Sequence, residues 1–477
     1  MKTAVGALHK PPLGGVIVDM NDTTNTTQPQ LSKLATFRQA LYTCFLKAGE
    51  VLFELIDALL LSPRLASFPE LSCVPVFRRQ WPSLYEGLQD GKVNQGKLLE
   101  ILTEQLPQTE RPVLVGDHTS WARPQARTLK DRSFQHQPTP IKGQKPITLG
   151  HGYSTLGMVR PAARSNQQTS GSWFLPLLHE RIESTTTPSK KAAEQLQQVC
   201  QKLGQRPLAL YDNEYGSGIF LKETEAIPCD LLFRVRPHRK LRRSPPPYRG
   251  NGRPPTHGAV FRLGDPTTWG KPDEEWEFDD PKLGRVRLQR WNTLHFEQAP
   301  KRSITLFRLE RLEARGTRRD PQVVWLGYCG EELPCNSDAW REYLNRFVIE
   351  HWYRFIKQSL NWTRPRLSTP GQSELWSTLV IIAYWQLWLA RSGVADCPRP
   401  WQKAQPELTP GQVHQAMGGV LATIGTPTTV PKPRGKSPGW SQGRLRTKRT
   451  RYPVVKKPTK AGAMTTKQAF TTQNSSP

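Results

Sequence analysis

The stretch Val113–Arg123, VLVGDHTSWAR, decides the fold because its apolar run stops at a glycine and an aspartate, Asp117. A short apolar run bounded in this way is typical of a buried strand. A second run, in Leu208–Gly216 (LALYDNEYG), is closed in the same manner by Asp212. We therefore predict two buried strands, each of which ends in a carboxylate.

The chain between these two runs supplies the rest of a sheet. Strand patterns occur at about Ile147–Val159 and Trp173–Ile182, and a helical pattern covers Lys190–Leu203. The order strand, strand, strand, helix, strand is the opening order of a ribonuclease H-like sheet. We predict an α/β fold with a ribonuclease H-like mixed sheet, flanking helices and two acids at strand positions that can converge.

The remaining segments differ in composition and periodicity. Residues 31–110 show helical periodicity, three β-like segments lie near Arg285–Trp291, Ser303–Leu309 and Gln322–Tyr328, and helical periodicity returns from Asp338 to about Leu360. The predicted division is as follows: 1–30 a flexible leader; 31–110 a helical N-terminal domain that binds DNA; 111–236 the first part of the ribonuclease H-like domain; 237–335 a β-rich insertion; 336–402 a helical C-terminal part; 403–477 a linker and disordered basic tail.

The overall charge indicates the class of partner. Lys and Arg outnumber Asp and Glu by 67 to 40 and give a net charge of +27, which attracts polyanions. Nucleic acid is the leading partner, with a merely soluble basic protein or a membrane-surface binder as alternatives. Twelve of the cations follow Pro431 without any acid, which predicts a tail that adds salt-sensitive affinity for DNA.

Cysteine spacing and hydropathy indicate the compartment. The seven cysteines show no C-x-x-C pair, so neither a disulfide framework nor a zinc ribbon is indicated, and a reducing cytoplasm fits. The N-terminus lacks an apolar core of signal-peptide length. The longest apolar stretch, Leu375–Ala390, contains polar residues and is shorter than the ~20 residues of a membrane span, so we predict a buried helix and no membrane partner.

The last strong helical pattern carries a specific constellation, Y-x2-R-x3-E-x6-K, formed by Tyr343, Arg346, Glu350 and Lys357. At about 100° per residue the four side chains fall within about 60° of arc on one helix face. A carboxylate for a metal ion beside two cations for phosphate oxygens makes a plausible surface for phosphoryl transfer. Helix geometry alone favours ordinary surface ion pairs instead.

These four residues resemble the YREK signature of bacterial insertion-sequence transposases of the DDE superfamily. VLVGDHTSWAR and LALYDNEYG resemble the contexts of the other two acids in that group, and the order D, D, E with a β-rich insertion before the glutamate is also similar. The resemblance covers about Leu31 to Trp401. It implies a metal-dependent DNA endonuclease and strand transferase with a ribonuclease H-like catalytic domain.

The resemblance also implies a set of roles. Asp117, Asp212 and Glu350 would be the catalytic residues and would hold two Mg²⁺ or Mn²⁺ ions, which as hard ions prefer oxygen ligands. Asp117 would bridge the two ions, Asp212 would bind one and Glu350 the other. Arg346 and Lys357 would contact phosphates, and Tyr343 would position the DNA backbone.

Several other residues have both a possible functional role and a more common structural one. His118 is a candidate phosphate contact, although a packed or solvated histidine is more common there. Tyr215, next to Glu214, is either a helper of Asp212 or part of a capped turn. Trp276 and Trp291 could stack on a displaced base, but core packing is the more common role. A cluster with few acids nearby in the sequence favours contact with DNA over a solvated face; it comprises Arg234, Arg236, Arg239, Lys240, Arg242 and Arg243.

Taken together, the sequence predicts a transposase that binds terminal inverted repeats, cleaves the transposon ends and joins the 3′-OH to target DNA. The resemblance implies a homodimer on double-stranded DNA and a prokaryotic cytoplasm, in association with the nucleoid. Two alternatives stay open: a catalytically idle DNA-binding protein derived from a transposase, and a host metal-dependent nuclease without a joining step.

Overall fold

In the computed structural model of the chain, the structure describes most of the sequence from residue 21 to residue 456. The described residues are 21–62, 64–136, 146–159, 173–248, 250, 252–280, 283–313, 321–333, 336–395, 401, 407–432, 439, 441–445 and 447–456. The expectations for residues 1–20 and 457–477 therefore lie outside the described residues.

The described residues form ten α-helices and fourteen strands. The helices are α1 (Asn21–Tyr42), α2 (Gly49–Leu60), α3 (Pro82–Asp90), α4 (Gln95–Glu104), α5 (Pro188–Cys200), α6 (Gly218–Glu223), α7 (Asn336–Leu344), α8 (Val348–Gln358), α9 (Pro370–Ala390) and α10 (Pro410–Ile424). The strands are β1 (Phe45–Lys47), β2 (Lys92–Val93), β3 (Val113–Ala122), β4 (Ser133–His136), β5 (Ile147–Val159), β6 (Phe174–Ile182), β7 (Leu208–Tyr211), β8 (Asp230–Arg234), β9 (Lys240–Arg242), β10 (Val260–Arg262), β11 (Glu274–Asp280), β12 (Gly284–Phe296), β13 (Ala299–Arg311) and β14 (Val323–Cys329).

A large mixed sheet organises the molecule. Its central part has the order β6-β5-β3-β7-β8, in which β3–β7 and β7–β8 are parallel while β3–β5 and β5–β6 are antiparallel. In chain order β3, β5, β6, α5 and β7 reproduce the predicted strand, strand, strand, helix, strand, with β4 as an additional short strand. The mixed α/β architecture is compatible with the predicted ribonuclease H-like fold.

Strand β3 continues beyond the aspartate at which the sequence predicts it to end. It pairs with the parallel strand β7 as far as Gly116↔Tyr211, whereas its antiparallel partner β5 continues to Ala122↔Gly150. The antiparallel pairing extends the strand after the apolar run has stopped. Asp117 therefore lies within β3, at the level where β7 ends.

The inserted β-rich segment joins the central sheet. Strand β14 pairs with β8, and β13 and β12 follow in the same sheet, with β11, β9 and β10 at its end. The three β-like segments of the sequence are thus strands, and Trp291 packs against Trp325 and Phe261 with 1% of its surface exposed. Trp276, which stacks against the Arg290 guanidinium, is only partly buried.

The N-terminal helices share their core with the C-terminal ones. Helices α1, α2 and α3 pack against α9, which is buried over most of its length. Buried Arg38 on α1 donates to Asp57 on α2 at 2.8 and 2.9 Å, to Gln386 on α9, and to the carbonyl of Gly425 after α10. These contacts tie residues 31–110 to the C-terminal helices. In the part of the chain that the structure describes, no helix is long and apolar enough to cross a membrane.

Two of the predicted boundaries are wrong. Helix α1 begins at Asn21, so residues 21–30 are helical rather than part of a flexible leader. Helix α10 lies within the predicted linker and tail: a capping box of Thr409 and Gln412 begins it, and Val413 and Met417 bury an apolar face against the other helices. The basic composition downstream obscured this periodicity.

Part of the basic tail is also ordered. Residues 447–456 lie along the body, where the amide of Tyr452 donates to the carbonyl of Arg127 and that of Val455 to the carbonyl of Arg132. Val455 also forms a parallel bridge with Ser133 at the start of β4. The prediction of a disordered tail is therefore wrong for these residues.

Candidate active site

Asp117 and Asp212 lie side by side at one edge of the sheet. Their strands are parallel, and the last register pair, Gly116↔Tyr211, comes one residue before each of them. The Asp212 carboxylate accepts the amide of Glu214 at 2.9 Å, which fixes the turn after β7. The two acids therefore lie on neighbouring chain segments, close enough for their charges to interact.

Gly116 allows this close approach. A Cβ atom at position 116 would overlap the ring of Tyr211, which lies across the strand. Tyr211 is fully buried and packs against Tyr215 and Phe220 at centroid distances of 4.9 and 4.8 Å. The glycine before Asp117 is thus required by packing rather than by a turn.

Helix α8 carries the third acid to the same edge. Arg346 donates to Glu350 at 2.8 Å and lies 3.4 Å from Asp117. The single helix predicted over 338–360 is interrupted by a 3-10 turn at Asn345–Phe347, so the helical arc assumed for the four signature residues is not continuous. Glu350 is nevertheless brought to Asp117 through the guanidinium of Arg346.

Asp117 is held in an electrostatically costly position. Burial is the main cause that raises its pKa to about 6, and repulsion from Asp212 adds to it. Arg346, His118 and the amide of His118 act in the opposite direction but do not offset burial. Burial tends to lower the pKa of Arg346, but the surrounding Tyr343, Asp117 and Glu350 raise it well above its usual range, so this arginine is a permanent cation.

A buried polar network supports β3 from behind. Thr155, the β5 partner of Asp117, accepts the hydroxyl of Tyr353 at 2.8 Å and lies 2.7 Å from Nδ1 of His179. Burial, together with the charge of Lys357, lowers the pKa of His179 to about 3, so the imidazole is neutral. None of these three residues is among the site residues predicted from the sequence. Tyr353 could have been found because it lies one helical turn after Glu350, whereas only the strand pairing reveals Thr155 and His179.

Lys357 lies deeper than a phosphate contact would require. Its ammonium donates to the hydroxyl of Thr119 at 2.7 Å, two residues beyond Asp117 on β3. Burial lowers its pKa, and the charge of Asp117 acts in the opposite direction. The predicted role as a DNA contact stays a prediction, whereas the observed contact ties α8 to β3.

His118 connects Asp117 to the turn after β7. Its Nδ1 lies 3.1 Å from the hydroxyl of Tyr215, and its Nε2 lies 3.7 Å from the carboxylate of Glu214. Tyr215 is fully buried, and burial and the nearby aspartates raise its pKa well above the usual value, so its hydroxyl is protonated. Tyr215 therefore positions the imidazole beside Asp117.

The predicted DNA-binding residues are only partly free to bind DNA. Tyr343 is 6% exposed, with the guanidinium of Arg346 over its ring. Lys240 and Arg242 both pair with Glu297, an acid brought close by β12, which the sequence did not reveal. Arg243 donates to the carbonyl of Trp269, while Arg239 is partly exposed.

The donor set suits a hard divalent ion, but its three acids do not surround a common point. Among the described residues, no group of three or more His, Cys, Asp or Glu side chains is placed to hold a metal ion. Asp117 and Asp212 offer adjacent carboxylates, and burial leaves the charge of Asp117 poorly compensated, which fits a cation ligand. Glu350, in contrast, faces Arg346, so its participation requires that this ion pair open.

Comparison with known proteins identifies the family. Residues 40–295, more than half of the chain, match the family model described as DDE superfamily endonuclease. The matched region includes Asp117 and Asp212 and ends before Glu350. No curated protein sequence matches the chain. Nucleases of this superfamily act on DNA and generally use divalent metal ions. The chain belongs to the DDE superfamily of endonucleases.

Proposed function

We propose that this endonuclease is a transposase of the insertion-sequence type, which cleaves transposon ends and joins the 3′-OH to target DNA. The observation that carries the proposal is that Arg346 pairs with both Asp117 and Glu350, and that Asp212 follows the strand parallel to that of Asp117, in a DDE endonuclease. The YREK resemblance of Tyr343, Arg346, Glu350 and Lys357 supports the bacterial insertion-sequence origin.

In this proposal the three acids hold two Mg²⁺ or Mn²⁺ ions. When bound, such ions activate the attacking water or 3′-OH and stabilise the leaving oxygen. Asp117 suits the shared position because its strand neighbours that of Asp212 and because it shares Arg346 with Glu350. Arg346 is the residue that compensates its charge in their absence.

Arg346 also supports binding of a phosphate. Its Nε is buried and has no hydrogen-bond partner among the described residues, although the other guanidinium nitrogens pair with carboxylates. A buried donor without a partner is costly, and a phosphate oxygen would satisfy it. We therefore assign Arg346 to the scissile or an adjacent phosphate, while Lys357 holds α8 against β3 and Tyr343 packs its ring against the guanidinium of Arg346.

Recognition of terminal inverted repeats is assigned to residues 31–110, and a dimer on DNA would bridge the two ends. The net charge of +27 supports an extended contact with DNA. Arg239, Lys240, Arg242 and Arg243 are proposed as additional DNA contacts. For Lys240 and Arg242, DNA phosphates would have to compete with Glu297.

A nicking assay tests the proposed site. Purified protein is incubated with Mg²⁺ or Mn²⁺ and a duplex that carries the terminal inverted repeats flanking the coding region. Asp117→Asn, Asp212→Asn and Glu350→Gln should each abolish nicking and leave DNA binding intact, because affinity comes mainly from cations elsewhere. Glu225→Gln is the matched control, an exposed acid that follows α6, and should retain activity.

The three acid variants have separate consequences. Full cleavage by the Asp117 or Asp212 variant would reject the site. Full cleavage by Glu350→Gln alone would leave the aspartate pair in place and reject only the third acid, which lies outside the matched family region.

A strand-transfer assay separates the transposase from a host nuclease. A pre-cleaved end with a free 3′-OH is mixed with supercoiled target DNA, and joined products are resolved on a gel. Joining that depends on the same three acids supports a transposase. If the protein nicks both the ends and the target DNA but forms no joined product, it is a nuclease. If it binds DNA but neither nicks nor joins it, it is the catalytically idle alternative.

A further inference from the structure

The ordered part of the basic tail forms a strap across one end of β3–β5. We define the strap as residues 441–456, of which the structure describes all but 446. Its backbone bonds from Tyr452 to Arg127 (3.0 Å) and from Val455 to Arg132 (2.8 Å) fix its register. Arg449 adds a contact at 3.2 Å to the hydroxyl of Ser368, which precedes α9.

The strap places its cations beside those of the body. Lys448, Arg451 and Lys456 are exposed on the strap, and so are Arg127 and Arg366 on the body. Within the described residues none of these five forms an ion pair with a carboxylate. Asp131, which lies between Arg127 and Arg132 in the chain, is occupied by Arg181 and the amide of Ser184.

The segment before α9 adds to the same positive surface. Arg123 donates to the carbonyls of Pro365 and Leu367, which fixes Arg366 next to the end of β3. Burial lowers the pKa of Arg123, and repulsion from Arg366 and Arg132 lowers it further, which reflects a concentrated positive potential. Such a potential at an exposed surface favours a polyanion over a protein or an apolar partner.

This surface continues in line with the candidate active site. Arg123 lies six residues beyond Asp117 along β3, which at about 3.3 Å per residue corresponds to roughly 20 Å. A duplex rises ~3.4 Å per base pair, so a duplex held at Asp117 reaches Arg123 and the neighbouring Arg366 after about six base pairs. The direction of β3 therefore leads from the acids to the basic surface.

We propose that the strap and the body together form a phosphate-binding surface for the duplex that flanks the cleavage site. The strap acts as a docked segment whose cations lie on the same surface as Arg127 and Arg366, and not as a free polycationic tail. This inference rests on the proposed function for the position of the cleaved DNA, but it is tested by binding alone.

The first experiment measures the salt dependence of binding. Fluorescence anisotropy with a 30-base-pair random duplex is recorded from 50 to 200 mM salt for the full chain and for Lys448→Gln/Arg451→Gln/Lys456→Gln. If three phosphate contacts are lost, the affinity of the variant should fall ~40-fold less over this range than that of the parent protein. The matched control neutralises three exposed lysines on α6 and in the insertion, Lys222, Lys271 and Lys301, and should leave the slope unchanged.

The second experiment undocks the strap without a change in charge. Tyr452→Pro/Val455→Pro removes the two amide donors and keeps every cation, and faster trypsin cleavage after Lys448 or Arg449, neither of which precedes a proline, reports that the strap has been released. If the strap acts as a docked surface, this variant should lose affinity for the duplex at 150 mM salt. Adding Arg127→Gln/Arg366→Gln should then reduce duplex affinity less in the undocked variant than in the parent protein.

The outcomes are separable. Unchanged affinity after undocking, or an unchanged salt slope after neutralisation of the strap, overturns the composite surface even if nicking is normal. Loss of nicking in the acid variants bears on the proposed function alone. A strap that binds anionic vesicles but not the duplex would also overturn the proposal and assign the surface to a membrane.

Discussion

Replacement of Asp117 by asparagine should stabilise the protein while it abolishes cleavage. Burial raises the pKa of this carboxyl from 3.8 to about 6, so the folded state resists its ionisation. At ~1.4 kcal/mol per pKa unit the cost of the charged form is about 3 kcal/mol. Asparagine resembles the neutral acid and avoids this cost. For a chain of this length roughly 3 kcal/mol corresponds to an increase in Tm of roughly 3 °C.

The pH dependence gives the prediction its sign. Because the folded-state pKa is raised, the favourable contribution of Asp117 is fully present below about pH 4 and is lost as the pH rises through about 6. The gain in Tm from Asp117→Asn should therefore be nearly absent at about pH 3.5 and complete at pH 8. Differential scanning fluorimetry without added metal measures it, with exposed Asp90→Asn as the control. A variant that is no more stable than the parent at pH 8 would refute this account of the site.

Three further predictions concern neighbouring residues. Arg346→Ala should lower Tm more at pH 8 than at pH 5, because it leaves ionised Asp117 without its main counter-ion; an equal loss at both pH values would contradict this. Asp230→Asn should cost about 3–5 kcal/mol in urea unfolding at pH 7 because this fully buried carboxylate pairs with Arg111 and Arg206. Arg206, Tyr328 and the amides of Glu331 and Glu332 outweigh burial and lower the pKa of Asp230, so the difference should shrink as the pH falls below the ordinary aspartate range. Gly116→Ala should cost roughly 1–3 kcal/mol through overlap with Tyr211, and Tyr211→Leu in the same chain should recover part of it if the ring is the cause.

The elements that the sequence predicted well are those with one dominant periodicity. The apolar run Leu208–Tyr211 is β7 without any change of boundary, and Ile147–Val159 is β5. Both strands are buried, so their apolar content is nearly continuous and ends where the sheet ends. The same pattern placed Asp117 and Asp212 on neighbouring strand positions, because an acid after a buried run marks the edge of a sheet.

The elements that the sequence did not reveal depend on contacts distant along the chain. The strap is docked because the carbonyls of Arg127 and Arg132 accept its amides, whereas its own composition is typical of a disordered tail. The pairing of Lys240 and Arg242 with Glu297 arises from strand neighbours more than fifty residues apart. Local composition does not reveal such partners. The sequence therefore predicts free cations at Lys240 and Arg242, whereas both pair with Glu297.

The position of Arg346 reconciles the surface ion pair with the phosphate contact, the two interpretations that its sequence context left open. It forms the i,i+4 pair with Glu350 that helix geometry favours, but it is 8% exposed and also reaches Asp117 from a different element. A solvated pair contributes little, whereas a buried cation between two acids compensates charges that have no other nearby partner. If divalent ions take over that compensation, the guanidinium loses its carboxylate partners and needs new acceptors in the same place. Phosphate oxygens of the bound strand are acceptors of the required charge and geometry. The same arginine can therefore compensate the charge of the acids first and bind the DNA afterwards.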